Sequence, residues 1–358
     1  MPMTSAVLHS LPVPIVLAPM AGGPATPALA AGVNRAGGLG FLAAGYLTPD
    51  RLREDIAALA ELTDRGFGVN LFAAAGVPAD PGRVQAYAER LGAEARRAGI
   101  DLGQPRFDDD RFEDKLAILT ERPVAVVSFT FGLPPQPAVD ALHAAGSEVW
   151  ITVTSPDEAA AAAARGADAL IVQGVEAGGH RGVFTDDASQ SDLTLLAALQ
   201  LVAHRVDLPL VAAGAIMTGA ALGAVLVAGA RAAQIGTAYL RSTEAGTSAA
   251  QRAATAGDTP TVLTRAFSGR LARGLVNRFH GEHGAAAPAA YPEIHHLTSP
   301  LRAHGRRVGD AEIINLWAGQ AHALAGEAAA EEITHRLAAE AAQAIADAAA
   351  RWAPDACS

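Results

Sequence analysis

The feature that most constrains the fold is a regular alternation of short apolar runs with alanine-rich segments of helical character. Eight apolar runs occur, and a turn containing glycine or polar residues follows each one. They cover residues 15–21, 39–44, 67–72, 124–131, 148–154, 169–173, 210–216 and 232–240. Parallel strands that are buried on both faces and joined by crossover helices have this pattern.

Eight strand-helix units are the number that closes a TIM (β/α)8 barrel. We therefore predict an α/β protein with a TIM barrel over residues 1–241, and an open doubly wound sheet is the structural alternative. Residues 73–122 predict a helical insertion with a solvated acidic loop, Asp108 to Asp110. Beyond residue 241 the alternation stops. We predict a small helical cap domain over 242–320, irregular at 285–309, and a C-terminal helix within 321–358 that packs back on the barrel.

Charge and composition exclude several classes of protein. There are 27 basic and 37 acidic side chains, and the net charge of −10 argues against nucleic acid or an anionic membrane as a partner. Residues 208–230 carry no charge and are long enough to span a membrane, but Pro209 and four glycines divide them into a strand, a turn and a helix. The only cysteine is Cys357, so no intrachain disulfide forms. Without an N-terminal signal pattern, a cytoplasmic protein is expected.

Small and polar residues stand where the predicted strands end, which is where functional residues gather in a barrel. The first run ends in Pro19, Met20 and Ala21, the third in Asn70, and the sixth in Gln173. Small side chains let a flat ring or a phosphate approach the backbone, and the two amides can donate and accept hydrogen bonds.

The last two predicted strands end in glycine-containing segments. Gly214 follows the seventh strand, and Gln234, Ile235, Gly236 and Thr237 end the eighth. Barrel phosphate sites use the loops after these two strands, where backbone amides face the anion. Glycines at either place alone could serve only a tight turn, but both together favour a phosphate-bearing ligand.

The most distinctive segment is the loop EAGGHRG at 176–182, in which Gly178 and Gly179 precede His180. A histidine at a strand end between glycines is a candidate general base, because imidazole exchanges protons near neutral pH. Five further histidines lie between residues 280 and 304 without a cysteine or a metal-binding repeat, so we predict surface or cap residues and no metal site. They are His280, His283, His295, His296 and His304.

These residues, in this order, resemble the nitronate monooxygenase family of FMN-dependent TIM-barrel enzymes. The resemblance covers residues 14–240 and the segment LWAGQ at 316–320, and the EAGGHRG loop together with QIGT carries it. It implies that FMN is the cofactor and that His180 is catalytic. The residues that it assigns to FMN are Pro19, Met20 and Ala21 along the ring, Asn70 and Gln173 on the ring or ribityl chain, and Gly178, Gly179, Gly214, Gln234, Ile235, Gly236 and Thr237 around the phosphate.

The implied reaction is the oxidation of alkyl nitronates, such as propionate 3-nitronate, by O2 to a carbonyl compound and nitrite. His180 would position the nitronate or take the α-proton of a neutral nitroalkane, and Tyr291 is a candidate gate. The expected partners are a nitronate or nitroalkane and O2, with no nucleic acid and no membrane, and a homodimer is left open. Two alternatives remain: an FMN-dependent enoyl-acyl-carrier-protein reductase using NAD(P)H, whose glycine-histidine loop is very similar, and a flavin-binding barrel without chemistry.

Overall fold

A computed structural model describes residues 5–73, 78–186 and 192–352, so Cys357 lies outside the described residues. Eight parallel strands form one sheet in the order β1-β9-β8-β6-β5-β4-β3-β2. Their bounds are β1 Ile15–Leu17, β2 Phe41–Ala43, β3 Gly68–Phe72, β4 Val126–Thr130, β5 Glu148–Val153, β6 Ala169–Gln173, β8 Leu210–Ala213 and β9 Ala232–Ile235. A parallel bridge between Val16 and Leu39 joins the two ends of this order. The sheet therefore closes, and the predicted TIM barrel is confirmed.

Helices α1 to α9 alternate with these strands. They are α1 Ala6–Ser10, α2 Pro27–Arg35, α3 Pro49–Leu62, α4 Pro81–Ala98, α5 Phe112–Glu121, α6 Gln136–Ala145, α7 Pro156–Arg165, α8 Leu195–Ala203 and α9 Gly219–Val227. Several begin with a hydroxyl that accepts a hydrogen bond from a first-turn amide, as Thr26, Ser155 and Thr218 do. The uncharged run at 208–230 forms β8, a turn and α9, as predicted. Among the described helices, none is long and apolar enough to cross a membrane.

The barrel interior and the layer beneath the helices form one apolar core. Ile15, Val127 and Leu170 have no exposed surface, and Trp150 is also fully buried. Fully burying an aliphatic side chain of this size contributes about 1.5–3 kcal/mol. Because the core fills the barrel, ligand space is confined to the ends of the strands.

Two strands after the barrel join a short strand from the histidine loop in a small antiparallel sheet. The sequence had predicted only helices and loops after the barrel. The sheet comprises β10 Thr261–Thr264, β11 Ala272–Leu275 and the short strand β7 Gly179–His180. Strand β11 pairs with both, so Ala272 lies opposite His180. The prediction was wrong here because β11 is stabilised by a strand more than 90 residues earlier in the chain, which local periodicity cannot reveal.

The segment 285–309, predicted to be irregular, holds a long helix. Helix α12 covers Glu293–Val308 and follows α10 Ala249–Thr255 and α11 Arg278–His283. Pro300 lies inside it and removes one amide donor, which argues against a helix at the sequence level. The helix forms because Ile294, Leu297 and Leu301 are buried in a cluster that includes α4 of the insertion.

A C-terminal helix, α13 Ala330–Trp352, packs against the outside of the barrel. A Cβ added to Gly219 of α9 would lie 2.1 Å from the Cβ of Glu340, so the two helix backbones approach closely. The Gly219 amide also donates to Glu340 Oε2 at 3.1 Å. The division into a barrel over 1–241, a cap over 242–320 and a closing helix stays a prediction.

Candidate active site

One cavity of about 340 Å³ lies at the carboxyl ends of the barrel strands. This volume is within the range of small-molecule sites. All thirteen residues that the sequence assigned to a site line it: Pro19, Met20, Ala21, Asn70, Gln173, Gly178, Gly179, His180, Gly214, Gln234, Ile235, Gly236 and Thr237. The fold brings them together because parallel strands end at the same edge.

The loops after β8 and β9 have the backbone geometry of an anion site. Gly214 has φ +147° and Ala215 has φ +49°, so two successive residues leave the usual helical and strand conformations. Gly236 precedes a 3-10 turn over Thr237–Tyr239. Backbone amides in glycine-containing turns at helix starts can bind a phosphate, so both loops are candidates for such a site.

Gly178 and Thr237 both contact the segment 318–319. A Cβ on Gly178 would lie 2.6 Å from the Gly319 nitrogen, and the Gly319 amide donates to Thr237 Oγ1 at 3.0 Å. The glycine at 178 is therefore needed for close packing against this segment. From the sequence, Gly178 was predicted only to contact the cofactor.

The three amide side chains that the sequence assigned to the site differ in how far they are already hydrogen-bonded. Asn70 Nδ2 donates to Ser128 Oγ at 3.0 Å, which leaves its carbonyl oxygen for a ligand. Gln173 holds the histidine loop, because its Oε1 accepts from the Gly182 amide at 2.8 Å and its Nε2 donates to the His180 carbonyl at 3.0 Å. Gln234 Nε2 is buried with no hydrogen-bond partner among the described residues. It is a donor that a ligand can satisfy.

His180 lies in the cavity wall on β7, surrounded by aromatic rings. Its Nε2 is 2.8 Å from Ser268 Oγ. The ring of Trp317 lies 5.4 Å away, that of Phe131 5.7 Å and that of Tyr291 6.0 Å, measured between centroids. Ser268 and the aromatic rings fix the orientation of the imidazole.

Electrostatics keep His180 neutral. Burial, together with the positive charges of Arg270 and Arg302, lowers its pKa to about 3. Arg270 itself stacks over the Phe131 ring, 4.1 Å from the centroid. At neutral pH the imidazole therefore offers one N–H donor and one acceptor nitrogen beside two cations.

Arg181, which the sequence left without a role, is structural. It is fully buried and donates to Gln173 Oε1 at 3.0 Å and to the Gly174 carbonyl at 2.7 Å. These contacts tie the loop that carries His180 to the end of β6.

Tyr46 is a cavity residue that the sequence analysis missed, although it follows the second strand by three residues. Its ring stacks on His295 at 3.9 Å, and its hydroxyl accepts from the Tyr291 hydroxyl at 3.2 Å. Burial raises the pKa of Tyr46 to about 12, so the hydroxyl stays protonated. Tyr291 thus lies beside His180, but its role as a gate stays a prediction.

The sequence predicted a solvated acidic loop, but Asp110 in this loop is partly buried and hydrogen-bonded. Asp110 Oδ1 accepts from the Tyr46 amide at 3.0 Å, and its Oδ2 pairs with Lys115 Nζ at 2.7 Å. Lys115 is 1% exposed. Asp110 is therefore a support for Tyr46, which has the left-handed φ of 67°.

His295, predicted to be a surface or cap residue, lies on α12 and lines the cavity. Burial and Arg302 lower its pKa well below the usual histidine range. The sequence carried no signal for this, because its location depends on how α12 packs over the barrel.

Comparisons with known proteins agree with this geometry. The sequence model of a family described as nitronate monooxygenase matches residues 5–340. The nitronate monooxygenase of Pseudomonas aeruginosa is 42% identical over 340 residues, which cover 90% of this chain and 95% of that protein. The nitronate monooxygenase of Paraburkholderia phytofirmans is 39% identical, with 93% of each chain covered.

Solved structures of similar proteins share the fold of this chain over nearly its whole length. A nitroalkane oxidase from Streptomyces ansochromogenes superposes with a TM-score of 0.93 at 49% identity, covering 96% of this chain and 100% of that one. FabK from Thermotoga maritima superposes with a TM-score of 0.76 at 26% identity, covering 97% and 99%.

Proposed function

Because this chain belongs to the nitronate monooxygenase family, we propose that it oxidises alkyl nitronates with FMN and O2. The C=N bond to the nitro group breaks, an oxygen atom from O2 forms the new C=O bond, and the nitrogen leaves as nitrite. Two nitronates and one O2 then balance two carbonyl compounds and two nitrite ions. The observation that carries this proposal is a neutral His180 beside buried arginines at the mouth of the barrel.

The cavity fits a flavin mononucleotide. The unpartnered Gln234 Nε2 is a donor for the ring or ribityl chain, and the loops at Gly214 and Gly236 present backbone to a phosphate. Pro19, Met20 and Ala21 form an apolar edge of the same cavity. When bound, FMN supplies the electron-transfer chemistry that side chains lack.

The protein's own residues select an anionic substrate. Arg270 and Arg302 place positive charge near His180, which favours a nitronate over a neutral molecule. An imidazole with a pKa of about 3 is a weak base, so removing a carbon-bound proton is harder for it than for an ordinary histidine. A preformed nitronate needs no such step. His180 can instead hydrogen-bond to the nitro group and keep it oriented.

The experiment uses the purified protein as isolated. We expect a flavin absorption spectrum, FMN as the released cofactor by mass, and O2 uptake with nitrite release on propionate 3-nitronate in the absence of a nicotinamide. Rapid anaerobic bleaching of the flavin by NADH or NADPH, without nitronate-dependent O2 uptake, would instead favour the enoyl-thioester reductase. A cytoplasmic location and a homodimer stay predictions.

A further inference from the structure

His180 has one ring nitrogen in a hydrogen bond within the protein and one that reaches the cavity. Nε2 lies 2.8 Å from Ser268 Oγ. Nδ1 has no hydrogen-bond partner among the described residues, but it keeps accessible surface, and His180 lines the cavity. A neutral imidazole carries one proton, so the contact with Ser268 decides whether Nδ1 is a donor or an acceptor toward a ligand.

The Ser268 hydroxyl has a second acceptor within reach, the carbonyl oxygen of Arg270. Ser268 Oγ donates to this oxygen at 3.2 Å and accepts from the Arg270 amide at 3.4 Å. Ser268 is 1% exposed, and within the part of the chain that the structure describes no other group donates to the Arg270 carbonyl. A buried carbonyl is rarely left without a donor. The hydroxyl proton therefore belongs to the Arg270 carbonyl, and the Nε2–H of His180 donates to Ser268 Oγ.

The turn that carries this serine is fixed in place. Gly269 has φ +78°, and its carbonyl accepts from the Ala290 amide at 2.9 Å. A Cβ at Gly269 would lie 2.2 Å from the Ala290 carbonyl oxygen, so glycine is required here. The Arg270 side chain donates through Nε to the carbonyl of Arg181, the residue after His180, at 3.3 Å. The hydroxyl and the imidazole are therefore held at a constant separation.

Other buried histidines of this protein face groups that only accept a hydrogen bond. His322 Nε2 lies 2.8 Å from the Thr259 carbonyl oxygen, and His283 Nε2 lies 3.2 Å from a carboxylate oxygen of Glu94. A carbonyl or carboxylate oxygen requires the facing ring nitrogen to be the donor. A hydroxyl both donates and accepts, so the ring of His180 can change its tautomer without moving.

We infer that Ser268 is a positioning residue that determines which nitrogen of neutral His180 carries the proton, an inference that rests on the proposed function. In the free enzyme Nε2 carries it, so Nδ1 presents a lone pair to the cavity and accepts the α-proton of a nitroalkane. When a nitronate occupies the cavity, the hydroxyl turns to Nε2, and Nδ1 carries the proton and donates to a nitro oxygen. One proton leaves Nε2 for water and another joins Nδ1, so the ring stays neutral.

The first test determines the tautomer directly in the oxidised, flavin-loaded protein, with its histidines labelled with nitrogen-15. Long-range proton–nitrogen correlation spectra distinguish a protonated from an unprotonated ring nitrogen, and His180→Ala identifies the His180 signals by their absence. At neutral pH we expect a proton on Nε2 and none on Nδ1. A proton on Nδ1 in the free protein would overturn the inference, whichever substrate the enzyme oxidises.

The second test removes the hydroxyl. For Ser268→Ala we expect a mixture of tautomers and a fall of about tenfold in kcat on both nitroethane and ethyl nitronate, the effect of one hydrogen bond. KM should stay within about twofold, the spread of a substitution that leaves the binding contacts intact. Ser268→Thr, which keeps a hydroxyl, should restore the Nε2–H tautomer and most of the rate.

Ser147→Ala is the matched control. Ser147 is also buried and donates to the Val124 carbonyl at 2.6 Å, but it does not line the cavity. This variant should lose stability and keep the wild-type tautomer and kcat. An unchanged tautomer and kcat in Ser268→Ala, or an equal loss of kcat in Ser147→Ala, would contradict the role of Ser268. If the wild-type protein oxidises neither substrate, the proposed function fails, while the spectra still show which nitrogen of His180 carries the proton.

Discussion

At the scale of single residues, the sequence predicted the position of His180 at a strand end. It could not predict the hydrogen-bond partner of the imidazole. Its flanking glycines and strand-end location identified the histidine. Ser268, which lies 2.8 Å from its Nε2, is 88 residues away in the chain. Only the pairing of β7 with β11 brings the two together.

We predict that His180→Ala retains FMN but lowers turnover on neutral nitroalkanes by about 10²-fold, the lower end of the usual contribution of a general base, because a pKa of about 3 makes this imidazole a weak base. The loss on preformed nitronates should be smaller, because no proton leaves carbon. Steady-state O2 uptake on nitroethane and ethyl nitronate measures both. His335→Ala, at an exposed position on α13, is the control. Unchanged turnover in His180→Ala would remove this residue from the chemistry.

The depressed pKa of His180 predicts the shape of the pH profile. Because its pKa is about 3, the imidazole stays neutral down to about pH 4, whereas an ordinary histidine is half protonated near pH 6.5. We expect kcat/KM on nitroethane to show no histidine-type loss between pH 8 and 5. An inflection near 6.5 that disappears in His180→Ala would contradict the stated environment.

The same shift has a consequence for stability. The folded pKa lies below the unfolded value, so the unfolded chain binds more protons below pH 6.5. The contribution of neutral His180 is therefore fully present above that pH and is lost as the pH falls toward 3.

At the scale of elements, the loop after β8 is the part of the site most sensitive to a side chain. We predict that Gly214→Val weakens FMN binding, because φ +147° is unfavourable for valine and its Cβ would lie 3.5–3.6 Å from the backbone nitrogens of Gly174 and Ala177, so that this loop of the cavity wall must shift. Flavin content after purification and FMN titration measure this.

Gly229→Val is the control for backbone strain alone. Gly229 has φ +103° at the end of α9 and no atom within 4 Å of an added Cβ, and it does not line the cavity. It should lower stability and leave flavin content intact. Full flavin occupancy in Gly214→Val would place the phosphate elsewhere.

The insertion supports the site through helix α5 and the loop before it. We predict that Lys115→Met lowers the free energy of unfolding by about 3 kcal/mol, because it leaves Asp110 partly buried without its cation. Tyr46, whose amide donates to Asp110, should also lose its fixed position. Denaturant unfolding measures the first effect. Arg53→Met, which breaks an exposed pair with Asp50, should cost below about 1 kcal/mol, and equal losses in the two variants would contradict the account.

At the scale of the whole molecule, the barrel could be predicted from the sequence. The part of the cavity wall that the insertion and α12 form could not. Every barrel strand lies within a short run that is mostly apolar, so the local sequence predicted each one. Tyr46, His295 and Arg302 meet only because the insertion and α12 fold over the barrel mouth. Their function depends on contacts between distant segments, for which a single sequence carries no periodic signal.

The aromatic content and the net charge of the whole chain differ from those of the cavity. Aromatic residues are 5% of the chain, yet Tyr46, Phe72, Phe131 and Trp317 line one cavity. Likewise the net charge is −10, while Arg302 and Arg306 of the cavity form no ion pair with any described residue. The overall charge disfavours a nucleic-acid partner, whereas the positive groups of the cavity favour a small anion.

The central claim is that this chain is an FMN enzyme that oxidises nitronates without a nicotinamide. The most direct measurement is O2 uptake and nitrite release by the purified protein on propionate 3-nitronate, with the cofactor identified by mass. The account predicts FMN, nitrite in proportion to nitronate consumed, and a rate that NADH and NADPH do not change. A protein without FMN, or one whose flavin reacts with NAD(P)H but not with any nitronate, would contradict it.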